Sequence, residues 1–277
     1  MKIGFIILAH KNPLQLERLM NRLWHPDSYF LVHIDMTRDA SPFWPVFAKF
    51  PNDRLLLVER EASQWGTFGL VKAPLNAIRE GLDQWPLDYF VLISAQDYPL
   101  VTVEALHAYF ETHRNKVFLE SFPLPDARWQ LGGASRFPYF DHMNTLLPLH
   151  GGSQWWSMPA TCGRFLLDFL DYNPDLLEYF RFVFIADETF FHSVLHNCEE
   201  DFIVDNIVNN NLRHIVWSNA GDCNPKTFTI ADFEELSTSD KLIARKFDIE
   251  KDVAILDAID RDLLKLSSSR YGKISAL

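Results

Sequence analysis

The chain has 277 residues, 48% of them hydrophobic and 14% aromatic, with a formal net charge of −11. That much apolar surface supports a sizeable buried core and excludes a disordered chain. The acidic balance, with no clustered Lys/Arg stripe, argues against a nucleic-acid partner. It also means that any anionic ligand must be held by a few well-placed cations.

The apolar run Ile3–Ala9 is too short to span a membrane and lacks the flanks of a signal peptide, so it predicts a buried first strand. Asn12 predicts a helix cap with Pro13 in the first helical position. Leu16, Leu19, Met20 and Leu23 form the apolar face of that helix. Strands are expected over residues 29–34, 54–58 and 89–94. A helix over 74–84 places Leu75, Ile78 and Leu82 on one side, and Thr102 caps another helix with Glu104 in its first turn. Apolar strands separated by helices predict an α/β fold with a mostly parallel sheet covered on both faces. Ligands of such sheets sit beyond the carboxyl ends of the strands. His10, Asp35 and the Gln96-Asp97 pair are therefore expected to share one crevice. The second half reads as a loop over 151–159, a Phe-rich segment over 180–184, a helix beginning near Asp187, strand and turn after Phe202, and a closing helix from about Asp252.

Three cysteines, Cys162, Cys198 and Cys223, are widely spaced with no CxxC, which fits reduced thiols rather than zinc or redox chemistry. No run reaches membrane-spanning length. The expectation is a cytoplasmic protein, peripheral attachment to the inner face of a membrane being compatible with it.

Several residues could carry chemistry, each with a bland alternative. Asp187 reads as a helix N-cap with Glu188 in the first turn, where acids favour the dipole. Buried, Glu188 could instead serve as a general base. Arg245-Lys246 is an ordinary surface pair or, in its apolar frame, a clamp for phosphate oxygens. Asp35 and Asp97 read as turn residues or as polar groups of a nucleotide site. Trp155 and Trp156 read as core or, beside Gly151 and Gly152, as a platform for a sugar ring. His192 and His196 have metal-pair spacing but lack a third ligand. No Asp-x-Asp, Walker loop or GxSxG motif is present.

Nine segments taken in order resemble a known family: AHKNPLQLERL, FLVHID, QWG, YFVLISAQDYPL, GGSQWW, DETFFHSVL, NNNLRHIVW, NPKTF with a following DF, and ARKFD. They resemble the core-2/I-branching glycosyltransferases, which include β-1,6-N-acetylglucosaminyltransferases and peptide O-xylosyltransferases, with the NNLR and ARKF segments closer to the latter. The resemblance implies a GT-A-type, Rossmann-like fold, a UDP-sugar donor carrying GlcNAc or xylose, a glycan or other hydroxyl acceptor, inversion, and no metal or other cofactor. By position, Glu188 is similar to the catalytic base. Ile7, Asp35, Gln64, Trp65, Gln154, Trp155, Asn224, Arg245 and Lys246 match donor-site positions, and Asp97, Trp156 and Arg213 are candidates for acceptor contact or site support. The xylosyltransferases carry Asp where Gln154 stands. The chain is expected to be one glycosyltransferase domain over 1–277. Residues 1–115 form its nucleotide-binding half, 116–250 its acceptor and catalytic half, and 251–277 a closing helix. A bacterial member building a surface glycan fits this reading. The rivals are a glycoside hydrolase pairing Glu188 with Asp97, a non-catalytic carbohydrate-binding module using the Trp pair, and a transferase fold that no longer turns over.

Overall fold

The computed structural model describes residues 1–217 and 224–265. Cys223 and the end of the expected closing helix lie outside these residues. The strands are β1 (Ile3–Ala9), β2 (Ser28–Ile34), β3 (Leu55–Leu57), β4 (Tyr89–Ser94), β5 (Asp97–Pro99), β6 (Val117–Pro123), β7 (His150–Pro159), β8 (Ile207–Val208), β9 (Arg213–Ile215) and β10 (Ile243–Arg245). Seven form the central sheet in the order β3-β2-β1-β4-β7-β6-β8, and β5-β10-β9 form a small second sheet. In the large sheet only β7 runs against the rest, pairing antiparallel with β4 and β6. This is the mostly parallel, Rossmann-like sheet expected.

Strand β1 is buried at every position because both of its faces are covered. Ile3, Phe5, Ile7 and Ala9 point to one core with the helix Pro13–Arg22. Ile6 and Leu8 point to another with the helices Gly69–Gln84 and Ala160–Tyr172. The expected cap at Thr102 is present: its hydroxyl accepts from the Ala105 amide at 3.3 Å, opening the helix Val103–Thr112.

Several expectations need correction. Asn12 precedes its helix, but its side chain makes no cap. Its amide donates instead to Asp248 Oδ1 at 2.9 Å, tying the first helix to the chain's far end. The helix expected from Pro74 begins at Gly69, and Pro74 lies inside it. Residues 151–159 are strand, not loop. A Cβ at Gly152 would lie 1.9 Å from the Glu120 carbonyl, and one at Gly151 would lie 2.3 Å from the Trp129 ring. The glycines therefore serve close approach, not a turn. Asp187 is not an N-cap. It lies in a short 3-10 turn, Ala186–Glu188, ahead of the helix Phe190–His196. After residue 200 a helical turn, Asp201–Val204, precedes β8. The closing helix is Ala254–Ala258, followed by a wider turn through Leu263. Asp260 locks that turn in place by accepting from Arg18, Arg22 and the Tyr98 hydroxyl at 2.7 Å each. No helix among the described residues is long and apolar enough to cross a membrane.

Candidate active site

The sheet order places β2 and β3 on one side of β1 and β4 on the other. Strand order reverses there, and ligands of such sheets occupy the crevice beyond the carboxyl ends of the two strands that flank the reversal. His10 follows β1 at that point. Burial pushes its imidazole pKa down, helped by Lys11, Arg245 and Arg38 and opposed by Asp35. Lys11, Arg38, Arg245 and Asp35 thus all lie within electrostatic reach of His10; the Gln96-Asp97 pair expected in the same crevice is not among the groups that act on it.

The small sheet delivers the cations. Strand β10 lies between β5 and β9, with Arg245 opposite Asp97. Arg245 Nη1 donates to Asp97 Oδ1 at 2.8 Å, and Asp97 Oδ2 accepts from the Ser94 amide at 3.1 Å. The Arg245 guanidinium also lies 4.4 Å from the Trp155 ring centroid. Held at one edge and over one face, the fork has few rotamers left to lose on binding an anion. Among the described residues only Asp97 accepts from it. Lys246, joined to Arg245 by a cis peptide, donates to Asn224 Oδ1 at 2.9 Å. Burial lowers the ammonium's pKa, and Arg245, Lys11 and Lys251 lower it further. Carboxylates offset part of this repulsion: Asp248 pairs with Lys11 at 2.7 Å and acts on Lys246, and Asp97 pairs with Arg245.

Glu188 ends the turn Ala186–Glu188, which Ile185 enters with φ 56° and ψ 52°. That left-handed conformation costs a β-branched residue on the order of 1–3 kcal/mol, and strain of this kind clusters at active sites. Arg136 Nη1 donates to Glu188 Oε2 at 2.7 Å. Burial pushes the Glu188 carboxyl above its ordinary range, Arg136 holds it down, and Glu120 pushes it up. Neighbouring Asp187 is fully enclosed, its Oδ1 has no partner, and burial followed by Glu188 pushes it up to about 7.

The family model described as Core-2/I-Branching enzyme matches residues 3–240. The chain belongs to the core-2/I-branching enzyme family. It is 26% identical over 295 residues to xylosyltransferase 1 of Homo sapiens, covering 94% of this chain and 30% of that protein. Over 294 residues it is 26% identical to Homo sapiens xylosyltransferase 2, covering 94% and 33%. Over 293 residues it is 27% identical to a Ciona intestinalis xylosyltransferase, covering 94% and 34%. The chain thus spans about a third of these curated relatives. Among solved structures it is similar to a mannose-6-phosphate isomerase from Helicobacter pylori only at a TM-score of 0.36 and 11% identity, over 64% of this chain and 78% of that one, a likeness too slight to bear on function.

The remaining positions drawn from the family resemblance fall at varied depths. Asp35 directly follows β2, and its Oδ1 accepts from the amide and hydroxyl of Thr37 at 3.0 Å each, so the turn reading holds. Oδ2 takes no partner among the described residues. Trp65 is 54% exposed and meets Phe184 edge-on at 5.4 Å, with exposed Gln64 beside it. The Gln154 amide nitrogen is buried and unpartnered. Ile7 lies wholly within the core, so its side chain supports the crevice from below. Trp156 is also core, 0% exposed and packed on Phe191 at 5.1 Å, and cannot stack on a sugar. Trp155 already carries Arg245 over its ring, so the Trp-pair platform is not formed. Arg213 is interior. It donates to the Leu92 and Asn211 carbonyls, and burial lowers its pKa to about 10 although Asp97 opposes this.

Asp97 is 0% exposed with both oxygens engaged. It is therefore unavailable as the second carboxylate of a hydrolase, or as a metal ligand with Asp35. His192 and His196 face different partners, the Ser153 carbonyl at 3.0 Å and the Ser121 hydroxyl at 2.7 Å, so they do not form a metal pair. No three His, Cys, Asp or Glu side chains converge among the described residues in a way that could hold a metal ion.

Two charged residues of the site were not foreseen. Glu120 sits where the β6–β7 register shifts, between Leu119 and Ser121. Its Oε2 accepts from Asn211 at 2.6 Å, and burial raises its pKa. Arg136 lies 52 residues before Glu188. In sequence both are isolated charges in segments without periodicity, and only the fold brings them to the base.

Proposed function

We propose that this chain transfers a sugar, GlcNAc or xylose, from a UDP-sugar to a hydroxyl of a glycan acceptor. The transfer inverts the anomeric carbon, with side-chain cations in place of a divalent metal. The observation that carries this reading is the adjacent pair Arg245 and Lys246 in an otherwise acidic protein, Arg245 held by Asp97 at one edge and Lys246 by Asn224, with Lys11, itself paired to Asp248 at 2.7 Å, within electrostatic reach. Such a group suits a leaving diphosphate, whose developing charge preorganised cations stabilise. Its similarity to xylosyltransferases supports a sugar-transfer role.

In the step itself, Glu188 takes the proton of the acceptor hydroxyl. The oxygen bonds to the anomeric carbon from the side opposite the diphosphate. The carbon–oxygen bond to the β-phosphate breaks, and its electron pair leaves with UDP, held by Arg245 and Lys246. One displacement inverts the centre, and alignment of the two substrates supplies much of the rate. Asp35 and the Trp65 segment suit the nucleoside. The unpartnered Gln154 amide suits a donor-sugar hydroxyl, since a buried donor left unpaired costs about 1–3 kcal/mol. Raised by burial, the Glu188 carboxylate is a stronger base than an exposed one.

The test is UDP release from a panel of UDP-sugars in the presence of candidate glycan acceptors. The Glu188→Gln variant should fold and bind UDP yet turn over about 10²–10⁴-fold more slowly. Near-normal turnover would remove Glu188 from the role. Sugar release from a glycoside without any nucleotide would favour the hydrolase instead.

A further inference from the structure

Arg136 is fixed from several sides. It closes the segment Gln130–Arg136, and its carbonyl accepts from the Phe184 amide at 2.9 Å, tying it to the chain that leads into the Glu188 turn. Its guanidinium lies 3.5 Å from the Trp129 ring centroid. That ring cannot retreat: it meets Phe122 of β6 edge-on at 5.0 Å and lies against Gly151 of β7 so closely that a Cβ there would overlap it. Among the described residues the one charged partner of the clamped fork is Glu188 Oε2.

We propose that Arg136 is the positioning residue that keeps Glu188 ionised and aimed, and so sets the acidic limit of activity. This rests on Glu188 being the base. Without Arg136 the environment of Glu188 would be anionic and dry. Glu120 faces it from β6, and Asp187 adjoins it. The helix Phe190–His196 contributes His192, which burial holds neutral by pushing it down to about 3. On the helix Gly69–Gln84, Lys72 is engaged with Glu61 at 2.7 Å. Among the described residues Arg136 is the cation that offsets the burial of Glu188, and without it the carboxyl would keep its proton to higher pH, where it cannot take one from a hydroxyl. Asp187, pushed up to about 7, does not compete for Arg136 at lower pH because it is itself protonated.

An opposite charge at this range typically lowers a carboxyl by about 1–3 units. Removing it should therefore raise Glu188 by that much and move the acidic limb of kcat/KM equally. Below both limbs the loss is about 10- to 1000-fold. At alkaline pH the two enzymes converge. Arg136→Lys, which keeps the charge, should restore most of the wild-type limb.

The experiment titrates the whole chain, labelled with 13C at the glutamate carboxyls, by NMR. The Glu188 signal is identified by its loss in Glu188→Gln. Arg136→Gln and Arg136→Met are compared with Arg136→Lys, the Met variant keeping an apolar stem on Trp129 if the Gln variant fails to fold. The same proteins are assayed for turnover of UDP-GlcNAc and UDP-xylose against pH. A raised Glu188 midpoint with a matching shift of the acidic limb, reversed by Lys, supports the proposal. An unmoved midpoint, or a raised KM at every pH with the limb in place, overturns it while leaving the base assignment standing. Normal turnover by Glu188→Gln overturns both.

Discussion

Replacing Arg245 with alanine should do two separable things. The first is structural. Asp97 is wholly buried, and Arg245 is its ion-pair partner at 2.8 Å. Removing one member of such a pair strands the other charge, at a cost of about 3–5 kcal/mol. Arg213 also acts on Asp97 electrostatically, which favours the lower end, about 3 kcal/mol. For a chain of this size that corresponds to a fall in Tm of about 6–12 °C. The second effect is on ligand. Loss of one charge-assisted contact to phosphate removes about 1.5–3 kcal/mol, or roughly 10- to 100-fold in UDP affinity. A compensating variant separates the two. Asp97→Asn combined with Arg245→Met neutralises both partners, and stability should return to within about 1 kcal/mol of wild type while UDP affinity stays lost. Differential scanning calorimetry and UDP titration read the two quantities. An Arg245→Ala protein with unchanged Tm would show that the pair is not buried as described. A double variant that binds UDP normally would remove Arg245 from the diphosphate site.

Lys246→Ala should weaken UDP by about tenfold with little change in Tm, since the partner its ammonium has among the described residues, Asn224, is exposed and exposed contacts of this kind contribute little. Unchanged UDP affinity in a calorimetric titration would contradict its role. Asp187 makes a distinct pH prediction. Its folded pKa is raised well above the unfolded value, so the native state binds the extra proton, and stability falls as pH rises from about 4 to about 7. Asp187→Asn should flatten that slope and be the more stable protein at pH 8, by an amount on the order of a few kcal/mol. Urea unfolding at pH 4, 6 and 8 measures this, and parallel slopes for the two proteins would refute it.

Much of the N-terminal scaffold was legible in the chain. β1 and β4 fall where their unbroken apolar runs placed them, because strands buried on both faces need no alternation. The Thr102 cap was readable because its partner is three residues away. What was misread depends on distant partners. Gly151 and Gly152 looked like a loop, but they are there because Trp129 and the Glu120 backbone press against β7. Asn12 looked like a cap because Asp248, which takes its amide, is 236 residues away. Trp155 and Trp156 are adjacent in sequence, yet strand alternation sends one under Arg245 and the other into the core. Within the site, Glu188 and Arg245 each had a bland local alternative, and the ordered set of motifs singled them out. Glu120 and Arg136 carried no local signal at all.

The most direct test of the central claim is calorimetric titration of the chain with UDP, UDP-GlcNAc and UDP-xylose, first in EDTA and then with Mn²⁺. Binding in EDTA, tightest for one UDP-sugar and weakened in Lys246→Ala, is the predicted result. No binding of any uridine nucleotide in either buffer would contradict the account.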